Sequence, residues 1–220
     1  MNLLAFETAT ERMSLALEFN GRVWVEEIGN EVRHSKILLP MIEKLLADAG
    51  ATFSDLDGLV VGTGPGGFTS LRIGLAVAQG LSLAHQVPIY PVSSLLNVAA
   101  SCQTSRQALV VMDARMGEVY TQRFECIESS HQPSGQWQPI SDPTVVVPEE
   151  VSLPKEHAQL AVVGSGLIAH EAILTKALRR GGVAWDPAAM PSAVRALGLR
   201  GPGVEPWALQ PNYVRNNVTH

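Results

Sequence analysis

The sequence predicts an α/β protein made of two lobes, and three observations carry that expectation. Leu59–Gly74 reads as a buried apolar strand, a glycine-rich turn and the start of a helix with almost no charge. The chain opens on alternating segments joined by Asn20-Gly21, the pattern of a two-residue hairpin. A second series of strand-like segments begins near Arg106. A chain of 220 residues suits one large domain or two lobes of about 100 residues each. Its 46% apolar content fits a folded chain, and a formal net charge of −5 gives no general attraction to nucleic acid. Direct binding of tRNA or DNA by this chain alone is therefore not expected.

Taken in order, Leu3–Glu7, Met13–Phe19 and Arg22–Ile28 read as a three-stranded antiparallel meander. Ser35–Ala49 has helical periodicity and is stopped by Gly50. Its apolar positions Ile37, Leu38, Leu39, Met41, Ile42, Leu45, Leu46 and Ala49 cover an arc of roughly 200°, against the ~100° that one buried face needs. The excess width predicts a second surface to cover. The helix from about Thr69 to His85 lies in a stretch without acids between Asp57 and Asp113, where Arg72 and Arg106 are the only Lys or Arg. Within it Ala76, Gly80 and Ala84 recur every fourth residue, as do Gly74 and Ala78, a spacing that lets another helix come close.

Val87–Tyr90 reads as a short strand, and Ser93 or Ser94 caps a helix running to about Cys102. Ala108–Met112 and Gly117–Glu125 read as strands joined by a hairpin at Asp113–Gly117. Residues 129–143 are polar and turn-rich, and read as a surface excursion. Leu160–Val163 is a strand, Leu167–Arg179 a helix, Gly181–Pro191 a loop and Ala193–Leu199 a short helix. The aromatic tail Glu205–Arg215 is expected to pack back on the body. The two lobes are accordingly drawn as 1–105 and 106–220.

Most chemical readings find little support. Gly62-Thr63-Gly64-Pro65-Gly66-Gly67 matches the spacing of a dinucleotide fingerprint, but the acid expected about 20 residues on is missing. Phe68-Thr69 stands where a P-loop needs Lys-Ser or Lys-Thr. An anion at the helix start and a tight turn packing strand on helix both remain open. His170-Glu171 begins like a zincin motif, yet Leu174 holds the place of the second histidine. His34, His85, His131, His157 and His220 show no ligand spacing, and no metal site is expected. Gly164-Ser165-Gly166 lacks the full nucleophile-elbow pattern, so no catalytic residue is assigned. Glu7, Asp113 and Glu118 are the acids of interest, since all sit at strand ends or turns. Cys102 and Cys126 fit buried thiols in a reducing compartment. With no signal peptide or membrane-length apolar run, a soluble cytoplasmic protein is expected.

Several motifs together resemble the actin-like ATPase superfamily, and within it the bacterial YeaZ/TsaB family. They are Leu4–Thr10, His34-Ser35 with Leu38-Leu39-Pro40, Gly64–Gly74, Asp113–Tyr120 and Pro211–Arg215. They span the chain in order, while the stretch between Glu125 and Val204 carries little of the likeness. The resemblance implies two ribonuclease-H-like lobes, each a mixed sheet flanked by helices. It also implies a non-catalytic subunit for threonylcarbamoylation of the adenosine beside the tRNA anticodon. Its partners would be the catalytic paralogue TsaD and the ATPase TsaE, with a homodimer in isolation and tRNA met only through the complex. The paralogue's His-x-x-x-His metal pair has no counterpart in this sequence. Where the family pattern has Asp in the first strand and Ser in the glycine-rich motif, this chain has Glu7 and Gly67.

The expected partner face comprises Ile37, Leu38, Met41, Ile42 and Leu45 of the first helix with Arg72, Ile73, Gly74, Ala76, Val77, Gly80 and Leu81 of the second. Glu7, Thr8, Thr10, Gly64, Gly66, Gly67 and Asp113 are the residues expected to form a vestigial nucleotide pocket. No cofactor is expected, with ATP or ADP admitted only at the complex with partners. The alternative is a weak ATPase or peptidase on the same fold.

Overall fold

The computed structural model describes residues 1–29, 34–103, 105–129, 132–155, 159–179 and 183–214. Its contacts divide the chain into two units. The first holds Met1–Asn97 and Pro191–Asn212; the second holds Val98–Met190 and the described residues from Tyr213. The lobes expected from the sequence are 1–105 and 106–220, with the last residues packing back on the body. The structure returns Pro191–Asn212 to the first unit, because a helix in that stretch covers one face of the first sheet.

That sheet contains β1 (Leu3–Glu7), β2 (Met13–Phe19), β3 (Arg22–Ile28), β4 (Gly58–Gly62) and β5 (Ile89–Val92), in the spatial order β3-β2-β1-β4-β5. The first three strands form the antiparallel meander, with Asn20 and Gly21 at φ of 50° and 73° in the hairpin turn, as such a turn requires. β4 and β5 add in parallel. Their crossover contains α2 (Phe68–His85), while α1 (His34–Ala49) lies between β3 and β4. β5 sits two residues later than expected and includes Pro91, which an edge strand tolerates because its outer N–H needs no ladder partner. Val204 pairs with Ile89 at that edge.

The two faces of this sheet are covered differently. Leu4, Phe6, Leu15, Leu17, Leu59 and Val61 pack with Leu38, Ile42, Leu45 and Leu46 of α1 and with Leu71, Leu75 and Ala78 of α2. The opposite face carries Leu3, Ala5, Ala16, Val60 and Val92 against Ala193, Ala196 and Leu197 of α6 (Ala193–Leu199). The alanines let α6 lie close. Its first free N–H, from Ala193, is taken by the buried Ser14 hydroxyl at 3.0 Å, and the Asn97 side chain pairs with the backbone of Ser192 at 2.9 and 3.0 Å. α3 (Ser94–Ala99) is shorter than expected and lies across the boundary between the units.

The second sheet contains β6 (Gln107–Arg115), β7 (Glu118–Ser129), β8 (Gln132–Pro139), β9 (Thr144–Val146), β10 (Leu160–Val163) and β11 (Ala184–Asp186). The order is β11-β10-β6-β7-β8, with β9 on β7. One face packs Leu109, Val111, Val119, Leu160 and Val162 against Leu167 of α4 (Gly166–Ala169) and Leu174 and Leu178 of α5 (Glu171–Leu178). Three expectations are corrected here. The polar stretch 129–143 is largely strand β8: it lies on the sheet's edge, where polar residues meet water, and Trp137 supplies its buried contact at 8% exposure. The single helix expected over 167–179 is broken at His170, whose φ of −128° and ψ of 38° are not helical. The loop expected from Gly181 includes β11, which pairs in parallel with β10. Gly181 itself, with His131, His157, Arg215 and His220, lies outside the described residues.

Candidate functional site

The glycine-rich turn is held by its own backbone. Thr63 N–H donates to Val92 O at 2.9 Å, Ser94 N–H to Gly64 O at 2.9 Å and Gly67 N–H to Ala9 O at 2.7 Å. A Cβ on Gly66 would overlap Ala9 O, one on Gly74 would overlap Thr8 Oγ1, and one on Gly62 would overlap the Glu7 carboxylate. These three glycines are therefore accounted for by the β1–β2 loop lying directly on β4, the turn and α2. Of the readings left open for the motif, the tight strand-to-helix turn is the one this geometry fills.

Glu7 ends β1 and is fully buried. Being two and four residues from Ala5 and Leu3, it points to the α6 side of the sheet, over Gly62. Ala9 N–H donates to Oε1 at 2.8 Å, the Ser94 hydroxyl donates to Oε2 at 2.8 Å, and Thr8 N–H adds a third bond. Burial pushes the carboxyl above its ordinary range, against the opposing pull of these three donors. All three donors are neutral, so desolvation prevails. Ser94, which the sequence marked only as a helix cap, is the residue that completes this arrangement. Of the predicted nucleotide pocket, Glu7, Thr8, Gly64, Gly66 and Gly67 come together around the turn. Thr10 is half-buried and turns its hydroxyl to Arg12 O at 2.9 Å. Asp113 belongs to the second unit.

The predicted partner face is rearranged. Leu38, Ile42 and Leu45 are 0–2% exposed and lie in the core of the first unit, so they are withdrawn from it. α1 packs on the sheet and on α2 together, and these two directions of burial use most of its wide apolar arc. Gly74 is buried beneath Thr8 and is withdrawn as well. Ile37, Met41, Ile73, Val77 and Leu81 are half-buried at the rim of the core. The outward stripe of α2 consists of Arg72, Ala76, Gly80, Leu83 and Ala84, at spacings of four, eight, eleven and twelve residues. Leu83 is 63% exposed, and Phe68, 48% exposed, carries the Arg72 guanidinium 3.7 Å from its ring centroid. Beside α2 runs the 3-10 turn Pro206–Ala208, held by the Gln79 amide donating to Pro206 O at 2.9 Å, with Trp207 75% exposed. Counting on by helical periods from Arg72 would have found Leu83; nothing in the sequence marked Trp207 as exposed.

In the second unit, Asp113 lies near the end of β6, where Oδ1 accepts Arg115 N–H at 2.9 Å and Oδ2 lies 3.2 Å from Arg115 Nη1. Its own N–H donates to Ser165 Oγ at 3.2 Å, and His170 Nε2 stands 3.9 Å from Oδ1. The hairpin closes tightly, with Met116 and Gly117 at φ of 54° and 80°. Glu118 is half-buried and pairs opposite Arg115. Cys102 and Cys126 are of intermediate exposure rather than fully buried. His85 stacks on Phe53 at 5.2 Å. Among the described residues, no group of His, Cys, Asp and Glu has metal-binding geometry, and no helix is long and apolar enough to cross a membrane.

Residues 30–168 match the family model TsaD, tRNA N6-adenosine threonylcarbamoyltransferase. The chain is 32% identical to the tRNA threonylcarbamoyladenosine biosynthesis protein TsaB of Haemophilus influenzae, across 100% of this chain and 95% of that one. It is 33% identical to the Escherichia coli protein of the same name, across 99% and 96%. Among solved structures, YeaZ from Pseudomonas aeruginosa superposes with a TM-score of 0.82 at 33% identity, covering 96% of this chain and 99% of that one. On full-length identity and on fold, the chain belongs to the TsaB (YeaZ) family of tRNA threonylcarbamoyladenosine biosynthesis proteins.

Proposed function

We propose that this chain is a non-catalytic subunit for threonylcarbamoylation of the adenosine next to the tRNA anticodon. It works in the cytoplasm by binding and activating the catalytic paralogue TsaD, together with TsaE. The observation that carries the reading is the outward stripe of α2. There Ala76, Gly80 and Ala84 leave room for a close helix, and Phe68 and Leu83 are large apolar groups exposed beside them. Burying a side chain such as Leu83 contributes roughly 1.5–3 kcal/mol, so a few such groups suffice to drive association. With Leu38, Ile42, Leu45 and Gly74 removed, the face consists of the α2 stripe flanked by Ile37, Met41, Ile73, Val77 and Leu81. A second copy of the chain uses the same face when the paralogue is absent, so homodimer and heterodimer compete.

The buried Glu7 supports the non-catalytic half of the reading. A carboxylate enclosed by Ala9, Ser94 and Gly62 is not presented to a metal or a phosphate. ATP or ADP then enters only at the assembled complex, and tRNA only through the partners.

The test is reconstitution. The purified chain is mixed with the catalytic paralogue, TsaE and threonylcarbamoyl-adenylate, and modification of tRNA is followed with and without ATP. Modification is expected only when this chain and the paralogue are both present, and the chain alone turns over no ATP. ATP hydrolysis by the chain alone that disappears in Glu7→Ala would instead establish the enzyme reading.

A further inference from the structure

We infer that the Glu7 carboxylate is a built-in ligand of the first unit. It occupies an anion's place where the end of β1, the glycine-rich turn and the start of α3 meet, and by binding their donors it fixes the direction in which α2 leaves the turn. Two chains of hydrogen bonds run from the carboxylate to the two ends of the turn. On one side the Ser94 hydroxyl donates to Oε2 at 2.8 Å, while its oxygen accepts Gly64 N–H at 3.1 Å. A serine hydroxyl has one hydrogen, so donating it to Glu7 leaves its lone pairs for Gly64. On the other side Ala9 N–H donates to Oε1 at 2.8 Å, while Ala9 O accepts Gly67 N–H at 2.7 Å. Thr8 N–H is the third donor to the carboxyl. The three groups bonded to it are thus all donors, and Gly62 leaves the space that it fills.

The dimensions favour glutamate. Beyond Cβ its side chain is a methylene and a carboxylate, the size of acetate, whereas aspartate would stop one methylene short of Ser94. Ordering the turn matters for function only on the reading proposed above, in which α2 meets the partner.

The experiment is chemical rescue of Glu7→Ala at neutral pH, with sodium acetate compared against sodium chloride at equal ionic strength. Truncation at Cβ leaves an acetate-sized space lined by the Ala9 and Thr8 amides and the Ser94 hydroxyl. Amide exchange at Gly64 and Gly67 is expected to accelerate by about tenfold in the variant, the equivalent of one lost hydrogen bond. Acetate is expected to slow it again and to raise the melting temperature of the variant while leaving the wild type unchanged. Equal effects of acetate on both proteins, or none on the variant, would overturn the inference.

Should Glu7→Ala fail to fold even in acetate, Glu7→Gln decides. It keeps the volume but turns an NH2 donor toward a donor, so exchange at Gly64 or Gly67 should still accelerate; unchanged exchange would overturn the proposal. These readouts need only the chain itself. Binding to the catalytic paralogue, measured in parallel, separates the two ideas. Wild type that never binds the paralogue contradicts the proposed function and leaves the ligand role standing. Acetate-dependent recovery of binding by Glu7→Ala supports both.

Discussion

The two sheets repeat one topology. Read from the third strand of each meander, the first runs β3-β2-β1-β4-β5 and the second β8-β7-β6-β10-β11. Each has an acid at or near the end of its first strand, Glu7 in β1 and Asp113 in β6. Their surroundings differ. Glu7 is sealed by neutral donors on the α6 side of the sheet, beside the glycine-rich turn, whereas Asp113 keeps 20% of its side chain exposed and pairs with Arg115 at the tip of a hairpin. The helices differ in the same sense: α1 and α2 run to 16 and 18 residues, α4 and α5 to 4 and 8. One scaffold thus carries a buried, tightly tied acid in the first unit and a partly exposed, ion-paired one in the second. The strand order alone does not decide which; side chains at the strand ends and helix lengths do.

The largest test of this contrast is a charge placed in the core of the first unit. Leu38→Asp or Leu45→Asp should unfold that unit, because even truncation of a buried leucine to alanine costs about 2–5 kcal/mol and an unpaired charge costs more. Urea denaturation followed by circular dichroism reads the loss. A folded Leu38→Asp protein that merely failed to bind a partner would return these residues to the surface.

Next comes a pair of substitutions in one helix with opposite signs. Gly74→Ala drives a methyl into Thr8 and should destabilise by about 1–3 kcal/mol. Gly80→Ala meets open space and should stabilise the monomer by about 1 kcal/mol through helix propensity. Thermal melts of the two variants check both signs.

The buried acid sets a pH dependence. The folded-state pKa of Glu7 is raised by burial above its ordinary value of 4.5. The part of its stability contribution that depends on protonation is therefore fully present below pH 4.5 and is lost as pH rises through the folded value, while the bonds accepted from Ala9, Thr8 and Ser94 remain. Glu7→Gln should remove that decline from a plot of denaturation midpoint against pH, and an unchanged slope would assign it to other groups. The smallest effect is expected in the second unit. Asp113→Ala gives up the bond to Arg115 N–H at a partly exposed site and should lower stability by about 1 kcal/mol in the same urea titration.

Much of the first unit was legible in the sequence. The alternation of Met13–Phe19, the Asn20-Gly21 turn and the Gly50 stop each reflect a local preference that tertiary packing did not override. The missed features are long-range. Ala193–Leu199 was seen as a helix, but only the alanines on both sides of its contact show that it belongs to the first sheet. β8 and β11 were hidden because edge strands need little apolar pattern. The wide arc of α1 was read as a partner face when two directions of internal packing already explain most of it. Ser94 could not be tied to Glu7 from a distance of 87 residues in sequence.

The central claim is that the outward stripe of α2 binds the catalytic paralogue, and the comparison between units supplies its control. Ala76→Glu places a charge on that stripe, while Ile168→Glu places one at a position of the second unit that is 63% exposed. Association of each with the paralogue is measured by isothermal titration calorimetry, after circular dichroism confirms that both variants are folded. The account predicts that Ala76→Glu loses binding by at least about 100-fold, or roughly 2.7 kcal/mol, while Ile168→Glu binds like the wild type. Wild-type affinity in Ala76→Glu would contradict it.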